Sequence, residues 1–244
     1  MVEQLTKVMV QSGAEWVLWT LILVSVAALA IGIERWLLLR KLRGDFPSHV
    51  KELQRLLRAG DIQKAEEVAL AYKTVDGNVV AAGLEEAPRG PEAAEEAMAA
   101  AMGLERRRLE RRLLVLGTVG NNAPFVGLLG TVIGVVGAFE ELGKPQAVSG
   151  AMAAASALAP ERVMGTIAEA LVATAVGLLV AIPAVLAFNA LTARVNELLS
   201  DAETLGHVLL AHLRGEESIS LLSHGAGSRG SRKRTSSASI GDAE

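Results

Sequence analysis

The chain has 244 residues, no cysteine and a formal net charge of −3, with 51% hydrophobic but only 3% aromatic residues. Without cysteine there is no disulfide framework, thiolate metal site or Cys nucleophile, and so small a net charge disfavours a nucleic acid as partner. The hydrophobic excess is Ala, Val, Leu and Gly rather than Phe, Tyr and Trp, which points to the bilayer and not to a soluble core.

Crossing a hydrocarbon core takes about 20 apolar residues in a helix, because only a helix satisfies its own backbone groups where water is absent. After a periplasmic segment 1–15, the first such stretch is 16–39, with Trp16, Trp19 and Trp36 near its ends, where amphipathic rings favour the headgroup level. Only Lys7 precedes it, while Arg35, Arg40, Lys41 and Arg43 gather at its end. That asymmetry predicts an uncleaved span with its N-terminus outside rather than a cleaved leader.

The segment 40–112 reads as a cytoplasmic helical region. Val50, Leu53, Leu56, Leu57, Ile62, Ala65 and Val68 recur at helical spacing, interrupted at Gly60-Asp61, which predicts a pair of short amphipathic helices with Asp61 as an N-cap. Pro88-Arg89-Gly90-Pro91 is a turn, and the Ala-, Glu- and Arg-rich run after it predicts a long helix that continues into the second span. Arg106, Arg107, Arg108, Arg111 and Arg112 form a basic collar for an anionic leaflet, at about 1 kcal/mol per near-surface charge.

The second span covers 113–139 and the third 168–191, separated by a periplasmic loop 140–167. A cytoplasmic helix 192–214 and a disordered cytoplasmic tail 215–244, with its Arg232-Lys233-Arg234 cluster, complete the chain. Lys and Arg number 14 over 40–112, two over 140–167 and six after Thr192. The positive-inside rule then sets the N-terminus in the periplasm and the C-terminus in the cytoplasm, a multi-pass inner-membrane topology. His49, His207, His212 and His224 are scattered and form no ligand pair at helical spacing, so no metal and no role is assigned to them.

Two stretches carry the functional signal. In the second span Gly120, Gly127, Gly130, Thr131, Gly134 and Gly137 fall within about a 120° sector, a small-residue face that lets helix backbones approach closely in lipid. Pro124 removes a helical hydrogen bond and is expected to loosen or kink the helix near Asn121 and Asn122, whose amides could meet the freed carbonyl or water. In the third span Ala170, Ala173, Thr174, Gly177, Ala181 and Ala184 share one sector, with a second proline at Pro183. That face could line a narrow passage or simply pack. Thr174 could serve the passage or bond back to its own helix. Glu169 borders this span as its one acid; it is a functional candidate by depth, or else an interfacial acid favoured by the helix start.

The runs Ala123-Pro124-Phe125-Val126-Gly127-Leu128-Leu129-Gly130-Thr131-Val132-Ile133-Gly134 and Glu169-Ala170-Leu171-Val172-Ala173-Thr174-Ala175-Val176-Gly177-Leu178-Leu179-Val180-Ala181-Ile182-Pro183-Ala184 resemble the MotA/TolQ/ExbB proton channel family over about residues 110–195. Three spans with one large cytoplasmic segment look like the TolQ/ExbB branch. The resemblance implies an all-α subunit that assembles as a ring, a homopentamer, around two copies of a TolR/ExbD/MotB-like one-span partner bearing an intramembrane Asp. It implies Thr131, Thr174 and Glu169 as ion-pathway residues. Gly127, Gly130, Gly134, Gly137, Ala173, Gly177 and Ala181 would pack helices or line the channel, and Pro124 and Pro183 would mark kinks. The expected function is the channel or stator subunit of a proton-driven motor for TonB-type import, Tol-type envelope maintenance or gliding motility. No cofactor is expected beyond the translocated proton, and sodium is disfavoured, since no ring of oxygen ligands accompanies the threonines.

Two other classes compete. A non-conducting membrane scaffold would use the small-residue faces for packing alone. An intramembrane enzyme would need a nucleophile and base or metal ligands at membrane depth, which no His or Cys supplies, so the chain is expected not to be an enzyme. It also lacks the phosphate-binding motif of an ATPase, so its energy would come from an ion gradient or a partner.

Overall fold

The computed structural model describes residues 15–143 and 152–235, with side chains for all of these except 141, 152–162 and 219–235. The expectations placed on 1–14, on Lys144 and the rest of 144–151, and on 236–244 fall outside the described residues. The described chain is helical: α1 (Glu15–Lys41), α2 (Phe46–Arg58), α3 (Ile62–Tyr72), α4 (Val75–Glu86), a 3-10 turn Ala87–Arg89, α5 (Pro91–Glu110), α6 (Leu113–Gly143) and α7 (Met152–Thr235). Three helices are long and apolar enough to cross a membrane, one each in α1, α6 and α7.

Several element ends differ from the sequence reading. α5 does not run on into the second span: Arg112 takes the left-handed conformation with φ 72°, and α6 starts one residue later. That conformation costs about 1 kcal/mol for a residue with a Cβ, and Arg112 there pairs with Glu34 of α1. The loop expected over 140–167 is shorter, because α6 continues to Gly143 and α7 begins at Met152. The Ala-rich run 153–159 is a strong helix former, and α7 continues from it through Pro160. α7 also runs through much of the tail read as disordered, to Thr235. No proline follows Pro183, so nothing in the backbone forbids continuation.

The chain divides into two compact units, Met1–Leu38 with Glu110–Ala193, and Leu39–Leu109 with Arg194–Glu244. The first unit packs the apolar parts of α1, α6 and α7. Val17 and Leu21 of α1, Ala123 and Ile133 of α6, and Val180 and Ala181 of α7 form its buried cluster, with Val119, Val126 and Val176 against it. Its outward residues are large and apolar, as a lipid-facing surface requires: Leu23 and Leu179 are each 72% exposed.

Where α6 meets α7, glycine sets the separation. A Cβ on Gly127 would lie 2.8 Å from the Ala173 carbonyl oxygen and 2.9 Å from Thr174 Cα. One on Gly177 would lie 2.8 Å from the Ala123 carbonyl oxygen and 3.1 Å from Gly127 Cα, and at Gly134 one would collide with Ala170. The two backbones touch, so any side chain here must push them apart. Both helices continue through Pro124 and Pro183, which leave the Gly120 and Leu179 carbonyls without their usual helical N–H partners.

The second unit is built on short amphipathic helices. α2 and α3 break at Gly60, with φ 73°, and Asp61 caps α3 by accepting from the Lys64 N–H at 3.2 Å. Leu53, Leu56 and Leu57 of α2, Ala65 and Ala69 of α3, Val75, Val79, Val80 and Leu84 of α4, Ala94 and Met98 of α5, and Val195, Leu198, Leu199, Ala202, Leu205 and Leu209 of α7 are among its buried apolar residues. Asn78 of α4 donates to Glu105 of α5 at 2.9 Å, tying those two helices together.

A buried polar cluster lies inside this unit. The His49 ring is buried, its Nδ1 is 2.5 Å from Asp76 Oδ2, and Tyr72 stacks on it with ring centroids 3.7 Å apart and planes 8° from parallel. Burial, and then the negative charges of Glu52 and Asp76, push the Tyr72 phenol above its ordinary value.

Two predictions follow from this packing. Gly177→Val should lower the stability of the detergent-solubilised protein by about 1–3 kcal/mol through overpacking, read as a lower SDS midpoint by Trp fluorescence. Gly32→Ala, where a Cβ meets nothing within 4 Å, should leave it unchanged or slightly raised. Tyr72 is the chain's one tyrosine, so absorbance at 295 nm reads it alone. Its ionisation should fall above the ordinary value of about 10. Because the folded value is raised, the associated stability is complete below the unfolded value and is lost as pH climbs through the folded one, a loss that Tyr72→Phe should remove.

Candidate functional site

The glycine contacts decide which polar groups meet. With no Cβ at Gly127, the α7 backbone comes close enough for Thr174 Oγ1 to lie 3.0 Å from the Gly127 carbonyl oxygen and 3.0 Å from Thr131 Oγ1. Thr131 Oγ1 in turn donates to the Leu128 carbonyl of its own helix at 2.7 Å. Of the two roles the sequence left to Thr174, the bond back to its own helix is not the one its hydroxyl makes. The hydroxyl reaches across to α6.

Two hydroxyl protons serve three contacts here. With the Thr131 proton on the Leu128 carbonyl, the Thr174 proton goes either to Gly127 or to Thr131, and one acceptor is left over. Both threonines are half-buried and stand at the edge of the α6–α7 contact. The pair can therefore offer a donor or an acceptor to a third group at membrane depth without adding a fixed charge.

Of the remaining predicted residues, Gly127, Gly130, Gly134 and Gly177 are buried, and Ala173 and Ala181 are 2% and 4% exposed. The face of α7 that could line a passage is filled by α6 within the single chain, so these residues pack helices. Gly137 is half-buried. Glu169 stands apart. It is exposed, and five residues before Thr174 is about 140° away around the helix, so one chain does not bring it to the threonine pair.

The Asn122 amide does not meet the carbonyl that Pro124 frees; it donates to the Thr118 carbonyl at 2.8 Å. Among the described residues no group of three or more His, Cys, Asp or Glu is placed to hold an ion. Sequence reasoning missed the His49–Asp76–Tyr72 cluster, whose partners His49 and Asp76 lie 27 residues apart with no local signature. It also missed the Glu34–Arg112 pair.

An all-helical, three-span chain with a threonine pair held at membrane depth by glycine contacts defines a class of multi-pass membrane protein. A family model for the MotA/TolQ/ExbB proton channel family matches residues 71–204, more than half of the chain, and the protein belongs to that family. It is similar to a biopolymer transport protein ExbB of Xanthomonas campestris pv. campestris, 34% identical over 145 residues that cover 59% of this chain and 53% of the relative. It is also similar to the Tol-Pal system protein TolQ of Haemophilus influenzae, 44% identical over 118 residues, 47% of each chain. A TolQ of Pseudomonas aeruginosa is 44% identical over 103 residues, 42% of this chain and 40% of that one. The chain spans about half the length of the curated relatives it matches.

The cross-helix hydroxyl gives a direct stability test. Thr174→Val keeps the shape and removes the bonds to Gly127 and Thr131. The SDS midpoint should fall by an amount equivalent to about 1 kcal/mol, the usual scale for an interhelical hydrogen bond in a membrane, with the three-span fold intact by circular dichroism.

Proposed function

We propose that the chain is the channel subunit of an inner-membrane, proton-driven energy-transducing complex of the TonB or Tol type. The observation that carries this reading is the Thr131–Thr174 pair, two hydroxyls sharing too few protons at a depth where an uncommitted polar group is otherwise expensive. Family membership supports it. In this reading the N-terminus and the segment between α6 and α7 face the periplasm, and the second unit and C-terminus face the cytoplasm. The chain forms a ring, a homopentamer, around two copies of a one-span ExbD- or TolR-like partner.

The partner supplies an intramembrane Asp, which this chain lacks in its spans. When that carboxylate is charged, the threonine hydroxyls can donate to it; when it is protonated, they can accept from it. Neutralising the Asp removes most of the cost of carrying it past apolar side chains. Proton arrival thus permits movement of the partner relative to the ring, and that movement is the mechanical output. Glu169, on the periplasmic approach, serves proton entry from a neighbouring position in the ring rather than beside the pair of its own chain. No cofactor and no covalent chemistry enter, the ion is the proton rather than sodium, and the load is import, envelope maintenance or surface motility.

The test co-expresses the chain with its one-span partner and compares proton flux in pH-gradient liposomes, together with output in cells. Thr174→Ala should cut both at least tenfold while the complex stays assembled by size and mass. Glu169→Ala should reduce flux while the Thr174→Val stability effect is absent. Full output from an assembled Thr174→Ala complex would leave a non-conducting scaffold as the better account.

A further inference from the structure

Between α1 and α7 the described residues of the first unit leave open a groove of about 460 Å³. Its walls run from Ser25 to Trp36 on α1 and from Leu179 to Leu191 on α7, and Ser25 and Trp36 are its only polar side chains. At Gly32, part-way along the α1 wall, a Cβ would meet nothing within 4 Å. Both walls belong to helices long and apolar enough to cross a membrane. Water does not fill such a slot, because each molecule needs several polar partners, so hydrocarbon has to.

The length of the groove says what kind of hydrocarbon. At 1.5 Å per residue its walls are about 17 and 18 Å long, close to the ~15 Å of one leaflet and about half of what a spanning helix covers. It begins below Val17 and Leu21, where α1 is packed into the buried cluster. It ends at the Trp36 indole, a ring of the kind that stays at the headgroup level. A slot one leaflet long that ends at the headgroups matches an acyl chain rather than a transmembrane helix.

The headgroup end is also positive. Arg35 lies seven residues after Ala28, which lines the groove, and about 20° from it around α1. Arg111 and Arg112, in the turn before α6, are close enough to act on the Arg35 charge, with Glu34 the one carboxylate among them. Glu34 is taken by Arg112, and among the described residues no carboxylate pairs with the exposed Arg111. Three guanidiniums against one carboxylate leave a surplus of positive charge at this corner, and a phosphate is the anion that guanidinium geometry suits.

We infer that the groove is a binding site for one anionic phospholipid, with an acyl chain lying between α1 and α7 and the phosphate held by Arg111 beside Arg35 and Arg112. This is more than the diffuse attraction of a basic collar to an anionic leaflet, because the slot and the charge are needed together. The inference requires the three spans and not proton flow, so it stands or falls apart from the proposed function.

The test prepares the chain, alone and assembled with its one-span partner, in liposomes of phosphatidylglycerol and phosphatidylcholine in equal parts. It is then extracted in mild detergent and weighed by native mass spectrometry. One phosphatidylglycerol per copy should remain in both preparations, in several-fold preference to phosphatidylcholine. Gly32→Leu, which puts a side chain in the slot, should lower the retained lipid several-fold, and Gly165→Leu, where a Cβ also meets nothing, should not. Ala187→Leu, on the facing wall, serves in place of Gly32→Leu if that variant does not fold. Arg111→Gln should still hold a lipid but lose most of the preference for the anionic one. Retention that ignores both groove-filling variants and responds only to the arginine would mean headgroup attraction alone and would overturn the inference. Lipid held by the chain alone but shed on assembly would assign the groove to a helix of the partner or of a second copy, and would overturn it too. Anionic lipid retained in a complex without flux would count against the proposed function alone, whereas flux with no retained lipid would count against the groove alone.

Discussion

The contact of bare backbone on bare backbone between α6 and α7 is the constraint on which the membrane unit depends. At Gly127 and Gly177 each helix occupies the space a side chain of the other would need. In lipid there is no hydrophobic drive to bring two helices together, so dispersion over a close contact, and the hydrogen bonds that closeness permits, must do so. The Thr174 hydroxyl reaches the Gly127 carbonyl because that carbonyl belongs to a residue without a side chain. Packing and polar chemistry are therefore not rival readings of the small-residue stripe, because the one produces the other.

This bears on how such a chain can place polar groups in a membrane at tolerable cost. Thr118 donates to the Leu114 carbonyl, Asn122 to that of Thr118, and Thr131 to that of Leu128, so most polar side chains of α6 are answered by its own backbone. What remains is a small set of groups whose needs exceed their partners: the threonine pair with two protons for three contacts, and Asn121 with none.

The second unit obeys the other solvent. Its helices are short, capped and amphipathic, and its buried residues are Leu, Val and Ala in a continuous set. Gly83 lets Met98 and Leu209 close over α4, where a Cβ would come within 2.6 Å of Met98 Cγ. Inside that set His49 pairs with Asp76 and stacks on Tyr72, which suits a water-folded core where buried polar atoms are paired. Here the polar residues hold a core together, and in the membrane unit they leave capacity unspent.

How much of this was legible follows from the range of the forces. Three spans, the break at Gly60-Asp61 and the turn before Pro91 are written in composition and local backbone chemistry, and so is the small-residue face, because helical periodicity is fixed by covalent geometry. The same local rules misjudged the end of α5, where one arginine adopts a left-handed conformation against its own propensity beside a carboxylate 78 residues away. They also placed the α6 and α7 ends too early or too late, because alanine favours a helix without requiring it and α7 runs on through Pro160 and Pro183. The sequence by itself determined which residues could share a face. Only the tertiary structure decided that Thr174 bonds across to Gly127 and not along its own helix, and that the Asn122 amide bonds the Thr118 carbonyl. Each of those outcomes turns on distances of a few ångströms between segments remote in the chain, or on a side-chain torsion, and periodicity carries no information about either.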